Sequence, residues 1–293
     1  MARDPVRRAS VVSTGTVRIR PDHVRAGWRP VMLWLLTSRR WTDPLPINVY
    51  VLEHDQGIVL FDAGQDRASV VDPGYFPRGV IGWLYRRLAE FDIAADETLP
   101  ELLHRAGFDP TAVTHVVLSH LHQDHIGGIA EFPGAEVVVS AAEWRAKDRA
   151  GAVLEGYLTA HIERPGIRWR LVDLDDTADP WAALPSAGAD LLGDGVITLL
   201  PTPGHTPGSL SMLIRRPGHR PVVLVGDLTY DAHRFDEQHI PGIGRRAQLR
   251  ASTRFIRGLR TRLPDLVIAA AHDPAAATAF ANAMSEEDVD ATR

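Results

Sequence analysis

The chain has 293 residues, 45% hydrophobic and 24% charged, with a formal net charge of −5 and no cysteine. This composition is ordinary for a soluble globular protein, and it excludes disulfides, thiolate ligands and a cysteine nucleophile. The acidic balance argues against a nucleic-acid partner, since such proteins usually carry a basic excess.

Residues 1–10 are polar and are expected to be loose. No apolar segment follows their arginines, and the longest early apolar run, 31–36, is too short to span a bilayer. The expectation is a cytoplasmic protein with no membrane partner. Short apolar runs predict buried strands at 47–52, 58–61, 116–118, 136–139, 196–200, 210–214, 222–225 and 266–270. Helical patterns occupy 99–106, ending at Gly107; 141–149, after the N-cap residue Ser140; and 248–263, stopping at Pro264. The Asp-, Ala- and Pro-rich stretch 173–190 reads as a surface excursion, and 285–293 as a loose tail. With no internal repeat and no linker, residues 1–293 are expected to form a single domain in which strands and helices mix, an α/β layered architecture.

The densest chemistry lies in Ser119–Gly128, which reads SHLHQDHIGG. Three histidines and an aspartate fall within six residues, directly after a predicted strand. In an extended segment alternate residues share a face, so His120 and His122 point the same way. Asp124 and His125 then lie on the turn into Gly127 and Gly128. Imidazole nitrogen and carboxylate oxygen are the usual ligands of zinc and similar metals. The pattern recurs at other strand ends: His205 in TPGHTPG after 196–200, Asp227 after 222–225, His272 after 266–270 and Asp62 after 58–61. Ligands of layered α/β folds bind where strand ends converge, so these residues read as one site.

The order H-x-H-x-D-H, then TPGHTPG, then Gly-Asp, then a last His resembles the metallo-β-lactamase superfamily over about residues 47–272. The resemblance implies a four-layer αβ/βα sandwich and two divalent metal ions, zinc first, with iron, manganese or cobalt also suited to these donors. It assigns His120, His122 and His205 to one metal and Asp124, His125 and His272 to the other, with Asp227 bridging. Asp62 is implied beneath the motif loop, orienting it. Within the superfamily the chain resembles the N-acyl homoserine lactonases. Tyr230 sits three residues after Asp227, the last ligand lies in Ala271-His272-Asp273, and a loop and then a helix follow Asp62-Ala63-Gly64. Gln123, where an aromatic is common, and Ala271, in place of Gly, depart from that pattern. The implied reaction is lactone opening on a small-molecule substrate by a metal-bridging hydroxide, with Tyr230 donating to the developing oxyanion and Asp124 shuttling the proton.

Alternatives within the fold are a thioesterase similar to glyoxalase II, a β-lactam hydrolase and a phosphodiesterase. A non-catalytic member would be expected to lose ligands, and all seven are present. Most of the remaining histidines need no function. His115 reads as structural; His23, His54, His104, His161 and His219 as surface residues; His233 and His239 as weak candidates for the pocket. The arginines at 245, 246, 250, 254, 257, 260 and 262 read as a solvated helix face. Trp28, Trp34, Trp41, Met32 and Leu35, with Tyr75, Phe76 and Trp83, suit an acyl-chain groove, the core or a homodimer interface equally well.

Overall fold

The central strands of this chain are buried at most positions, because both faces of each sheet meet a core. The computed structural model describes residues 3–174 and 190–285. Its strands are β1 (Val6–Ile19), β2 (Leu45–His54), β3 (Gly57–Phe61), β4 (Ala89–Asp92), β5 (Val113–Val117), β6 (Glu136–Ser140), β7 (Arg168–Val172), β8 (Ile197–Pro201), β9 (Leu210–Ile214), β10 (Val222–Leu224) and β11 (Val267–Ala269). Its α-helices are α1 (Pro21–Val24), α2 (Val31–Thr37), α3 (Ala68–Val71), α4 (Val80–Leu88), α5 (Leu99–Arg105), α6 (Gln123–Ile126), α7 (Ala141–Ala146), α8 (Thr159–Ile162), α9 (Arg246–Leu259) and α10 (Ala276–Ser285).

One sheet runs β4-β1-β2-β3-β5-β6-β7 and the other β11-β10-β9-β8. In the first, β3, β5, β6 and β7 are parallel while β1, β2 and β4 pair antiparallel; in the second, only β10 and β11 are parallel. Side chains of a strand alternate between faces. Val49, Val51, Leu60, Val116 and Leu118 therefore pack outward against Leu99 and Leu103 of α5 and Ala146 of α7. Tyr50, Leu52, Phe61 and Val117 point the other way and meet Leu199, Met212 and Leu224 of the second sheet. On that sheet's outer face, Leu213, Val223 and Ile268 pack on Leu249, Ile256 and Leu259 of α9. The result is the expected helix–sheet–sheet–helix stack, with α9 presenting its arginines to solvent.

Two expectations need correction. Residues 1–10 are not all loose: β1 begins at Val6, which is buried between the sheets. Three strands had no counterpart in the sequence reading: β1, β4 and β7. They are the two edges of the larger sheet and the strand beside one edge. Their polar residues interrupt the apolar run (VRRASVVSTGTVRI, AEFD, RWRLV), because an outer strand buries less of each face. Most of the excursion at 173–190, and the tail after Ser285, lie outside the described residues. Among the described residues no helix is long and apolar enough to cross a membrane.

The topology brings the ends of β3, β5, β8, β10 and β11 to one rim, where hydrogen bonds link the two sheets. Leu210 N donates to Ser119 O at 2.9 Å, Asn48 N to Ala271 O at 3.0 Å, and the Tyr50 hydroxyl to Ala270 O at 2.7 Å. The motif loop is pressed onto the strand β3 exit by two more, Ala63 N to His125 O and Gly127 N to Gly64 O, both 2.7 Å. A Cβ on Gly127 would collide with the backbone of Gln65 and Asp66, whereas one on Gly134 would meet open space. Gly127→Ala should therefore lower the unfolding free energy by about 1–3 kcal/mol in urea denaturation, the cost of overpacking, with Gly134→Ala nearly neutral.

Candidate metal centre

Seven side chains converge on the rim. Ligating atoms lie within 4.8 Å of one another in three overlapping groups: His120, His122 and His205; His120, His125 and Asp227; Asp124, His125 and His272. His205 Nε2 stands 3.1 Å from His122 Nδ1 and 3.5 Å from Asp227 Oδ2. His125 Nε2 and His272 Nε2 stand 3.4 and 3.5 Å from Asp227 Oδ1, and His272 Nε2 is 3.4 Å from Asp124 Oδ2. Asp227 thus offers one oxygen to each half of the cluster.

The other nitrogen of four of these imidazoles is already occupied. His120 Nδ1 meets Ser119 Oγ at 2.9 Å, His122 Nε2 the Glu155 carbonyl at 2.8 Å, His125 Nδ1 the Asp62 carboxylate at 2.8 Å, and His272 Nδ1 the Pro46 carbonyl at 2.8 Å. A ring that donates from one nitrogen presents a lone pair on the other, and an acceptor behind it makes that lone pair more basic. The inward atoms His120 Nε2, His125 Nε2, His272 Nε2 and Asp227 Oδ1 are buried and make no hydrogen bond among the described residues. Buried polar atoms without partners are costly. Here they face one another around the same point, so this donor set fits divalent cations. Burial, and then the imidazoles of His125, His122 and His205, depress the His120 pKa and keep its lone pair available. Burial raises Asp227, but His272, His125 and His205 outweigh it and hold the carboxylate ionised.

Two carboxylates hold the loops from below. Asp62 adopts a left-handed φ of 63°, a conformation that Asp tolerates better than most residues. From there it accepts from Ser119 N at 2.7 Å and Ser119 Oγ at 3.0 Å as well as from His125. Glu143, fully buried, was not singled out by sequence. Its Oε1 accepts from Leu121 N at 3.0 Å and its Oε2 from Gly208 N at 2.9 Å, tying the HLHQDH loop to the TPGHTPG loop. The only signal is Ser140-x-x-Glu143, which reads as a capping box. Ser140 does cap Glu143 N, but the Glu143 carboxylate serves the two loops instead.

Above the ligands lies a cavity of about 250 Å³. Its floor includes His122, Asp124, His205, Asp227 and His272, and its walls include Met32 and Leu35 of α2 and Ile81 and Leu84 of α4. Tyr230 reaches the floor, donating from its hydroxyl to Asp227 Oδ2 at 2.6 Å; burial and then Asp227 push its pKa well above the usual phenol value. Gln123 lines the cavity with a buried Oε1 that has no partner among the described residues. Of the aromatic residues considered for a groove, Trp34 is buried, Trp41 stacks under Arg20, and Tyr75 and Phe76 pack with Tyr85 and Leu158; the wall is mainly aliphatic. His233 and His239 do not line it. His54 is buried and paired with Asp194 rather than on the surface, and His23, also expected outside, is buried against Tyr230.

Residues 42–272 match the family model described as the metallo-beta-lactamase superfamily. The chain belongs to this superfamily. An N-acyl homoserine lactonase AttM of Rhizobium johnstonii is 32% identical over 246 residues, 82% of this chain and 86% of that protein. A probable metallo-hydrolase of Mycobacterium tuberculosis is 34% identical, covering 78% and 74%. Among solved structures, an N-acyl homoserine lactone hydrolase with N-hexanoyl-L-homoserine bound at its catalytic metal center superposes with a TM-score of 0.72 at 21% identity, covering 92% of this chain and 94% of that one. At that identity the superposition supports the four-layer fold. The six-residue motif and the later ligands therefore sit in the architecture their order implied.

The supports beneath the centre make a direct test possible. Asp62→Asn keeps the left-handed backbone but loses a charged acceptor; metal affinity, read by chelator competition, should fall about 10- to 100-fold with the circular dichroism spectrum retained. Glu143→Leu leaves two buried N–H groups unpaired and should cost about 2–6 kcal/mol of stability in denaturant titration.

Proposed function

We propose that this chain opens the ring of N-acyl homoserine lactones, giving the N-acyl homoserine. The observation that carries the reading is the Tyr230 hydroxyl, set 2.6 Å from Asp227 on the floor of a cavity walled by aliphatic side chains. Relatives about 30% identical over most of their length are N-acyl homoserine lactonases, which supports the same substrate class. We assign His120, His122 and His205 to one ion and Asp124, His125 and His272 to the other, with Asp227 shared. We take zinc as the first choice, since the donors are nitrogen and oxygen in a compact buried set. Bound there, the two ions supply Lewis acidity toward the carbonyl and the leaving oxygen and lower the pKa of water.

The chain's own groups do the rest. Asp227 is the present acceptor of the Tyr230 proton; a substrate carbonyl oxygen entering beside it offers a second acceptor, one that gains negative charge as the ring opens. A buried neutral phenol that already donates at this point stabilises that charge without reorganising. Asp124 is the most exposed of the carboxylates, with 19% of its side chain accessible against 5% for Asp227. It faces the cavity and is placed to take a proton from the attacking water and return it to the departing alkoxide. The acyl chain lies along α2 and α4, where Met32, Leu35, Ile81 and Leu84 bury apolar surface.

Rates on homoserine lactones of several acyl lengths, a glutathione thioester, a chromogenic β-lactam and an aryl phosphodiester test the reading. The lactones should lead by at least about 100-fold in kcat/KM, a difference worth roughly 2.7 kcal/mol; a faster thioester or phosphodiester overturns it. Tyr230→Phe should keep its metal and lose about 10- to 1,000-fold in kcat. His205→Ala and Asp227→Asn should lose metal by elemental analysis, and full retention in both would refute the ligand assignment.

A further inference from the structure

We infer that His23 is a positioning residue for Tyr230, donating from Nε2 to the tyrosine oxygen and so directing the phenolic proton toward the reacting atoms. The inference rests on the reading of Tyr230 given above. Its observations are the contacts of His23 itself and the bond from Tyr230 to Asp227.

His23 lies on the one-turn helix α1, far in sequence from every ligand, and is 8% exposed. Its Nε2 is 3.1 Å from Tyr230 Oη, while the Tyr230 hydroxyl is 2.6 Å from Asp227 Oδ2. A tyrosine hydroxyl has one proton. The carboxylate can only accept, so that proton goes to Asp227, and the remaining contact must be donated by His23. This fixes the Nε2–H tautomer and leaves Nδ1 with a lone pair; Nδ1 is buried and has no partner among the described residues. Among the described residues nothing on the Nδ1 side competes for the ring's proton, and the contact to Tyr230 is the only polar bond the side chain makes there.

The surroundings hold the ring in place. It packs edge-on to Tyr230, with centroids 5.5 Å apart at 69°, and lies 6.4 Å from the buried Trp34. The backbone is clamped by a distant segment: Gly242 N donates to His23 O and Ala26 N to Ile240 O, each at 2.8 Å. A Cβ on Gly242 would strike the Asp22 carbonyl oxygen, so glycine is needed for that approach. Two chain segments more than two hundred residues apart thus combine to seat one imidazole behind one phenol. A phenol that accepts a hydrogen bond is a stronger donor, and its hydroxyl cannot rotate away from the cavity floor.

The test is a double-mutant cycle on the metal-loaded protein, read by the hydrolysis of N-hexanoyl homoserine lactone, with metal content and thermal unfolding measured for each variant. His23→Leu should lower kcat about 5- to 50-fold with KM changed less than about twofold and metal retained, as for a lost interaction made in the transition state. His23→Gln, whose amide N–H can take the place of Nε2–H, should recover most of that loss. In the Tyr230→Phe background, His23→Leu should cost less than about twofold. An unslowed Tyr230→Phe overturns the reading of Tyr230 and this inference with it. A slowed Tyr230→Phe in which His23→Leu still costs its full factor overturns the inference alone. So does loss of metal in His23→Leu, or a fully metallated His23→Gln as slow as His23→Leu.

Discussion

The structure depends on one arrangement: unpaired imidazole and carboxylate lone pairs aimed at one another inside a low-dielectric rim. Such a cluster opposes folding unless cations enter it, because each inward atom has given up water without gaining a partner. The chain accepts this by placing the atoms where sheet geometry already supplies rigidity. Strand ends cannot drift independently when Ser119 O, Ala270 O and Ala271 O accept hydrogen bonds from the opposite sheet. The bond network that joins the sheets also fixes the ligand spacing, and metal binding and sheet docking are coupled for that reason.

Rigidity of the strands would still leave each ring free to turn. The acceptors behind the rings remove that freedom, and they come from several parts of the chain: Asp62 after β3, Glu155 before α8, and Pro46 in β2. Glu143 does for the backbone what Asp62 does for a side chain, holding the two ligand loops at a common distance by accepting one N–H from each. A buried carboxylate that satisfies two buried donors costs less than leaving either donor open. Burial raises its pKa, and the Thr206 hydroxyl and then the Leu121 amide offset that rise only in part.

Legibility in the sequence followed the number of faces a residue must satisfy. Inner strands such as β3 and β6, packed on both sides, were readable as continuous apolar runs. β1, β4 and β7 were not, since exposed positions admit Arg, Glu and Ser. The ligands were readable because metal chemistry restricts residue types tightly and strand ends restrict their places. Of the supports, Asp62 was readable from its place at the end of β3; the others were not, because almost any acceptor serves behind an imidazole, and the backbone carbonyls behind His122 and His272 carry no sequence signal at all. His23 was misread for a related reason. A histidine on a polar-looking turn, Arg20-Pro21-Asp22-His23, is buried only because the segment around Gly242 folds over it, and that contact is not local.

The same reasoning separates the chemistry of the cavity from its selectivity. The floor is built by strand ends and admits little variation. The wall is two short helices pinned mainly by their ends: the Arg87 guanidinium donates to the carbonyls of Leu36 and Ser38, and Arg20 donates to the Arg87 carbonyl while lying 3.4 Å from the Trp41 ring centre. Pinning by the ends leaves the sides of α2 and α4 free to present aliphatic groups, and Met32, which lines the cavity, remains half exposed. Among the described residues, Gln123 introduces the one buried unpartnered polar atom on that wall apart from the floor and His23. An apolar wall rewards chain length gradually, at roughly 0.8 kcal/mol per buried methylene, whereas a buried amide oxygen rejects what cannot hydrogen-bond to it. On the proposed reading, acyl-length preference rests on the aliphatic wall and the choice among head groups on Gln123, two different parts of the cavity.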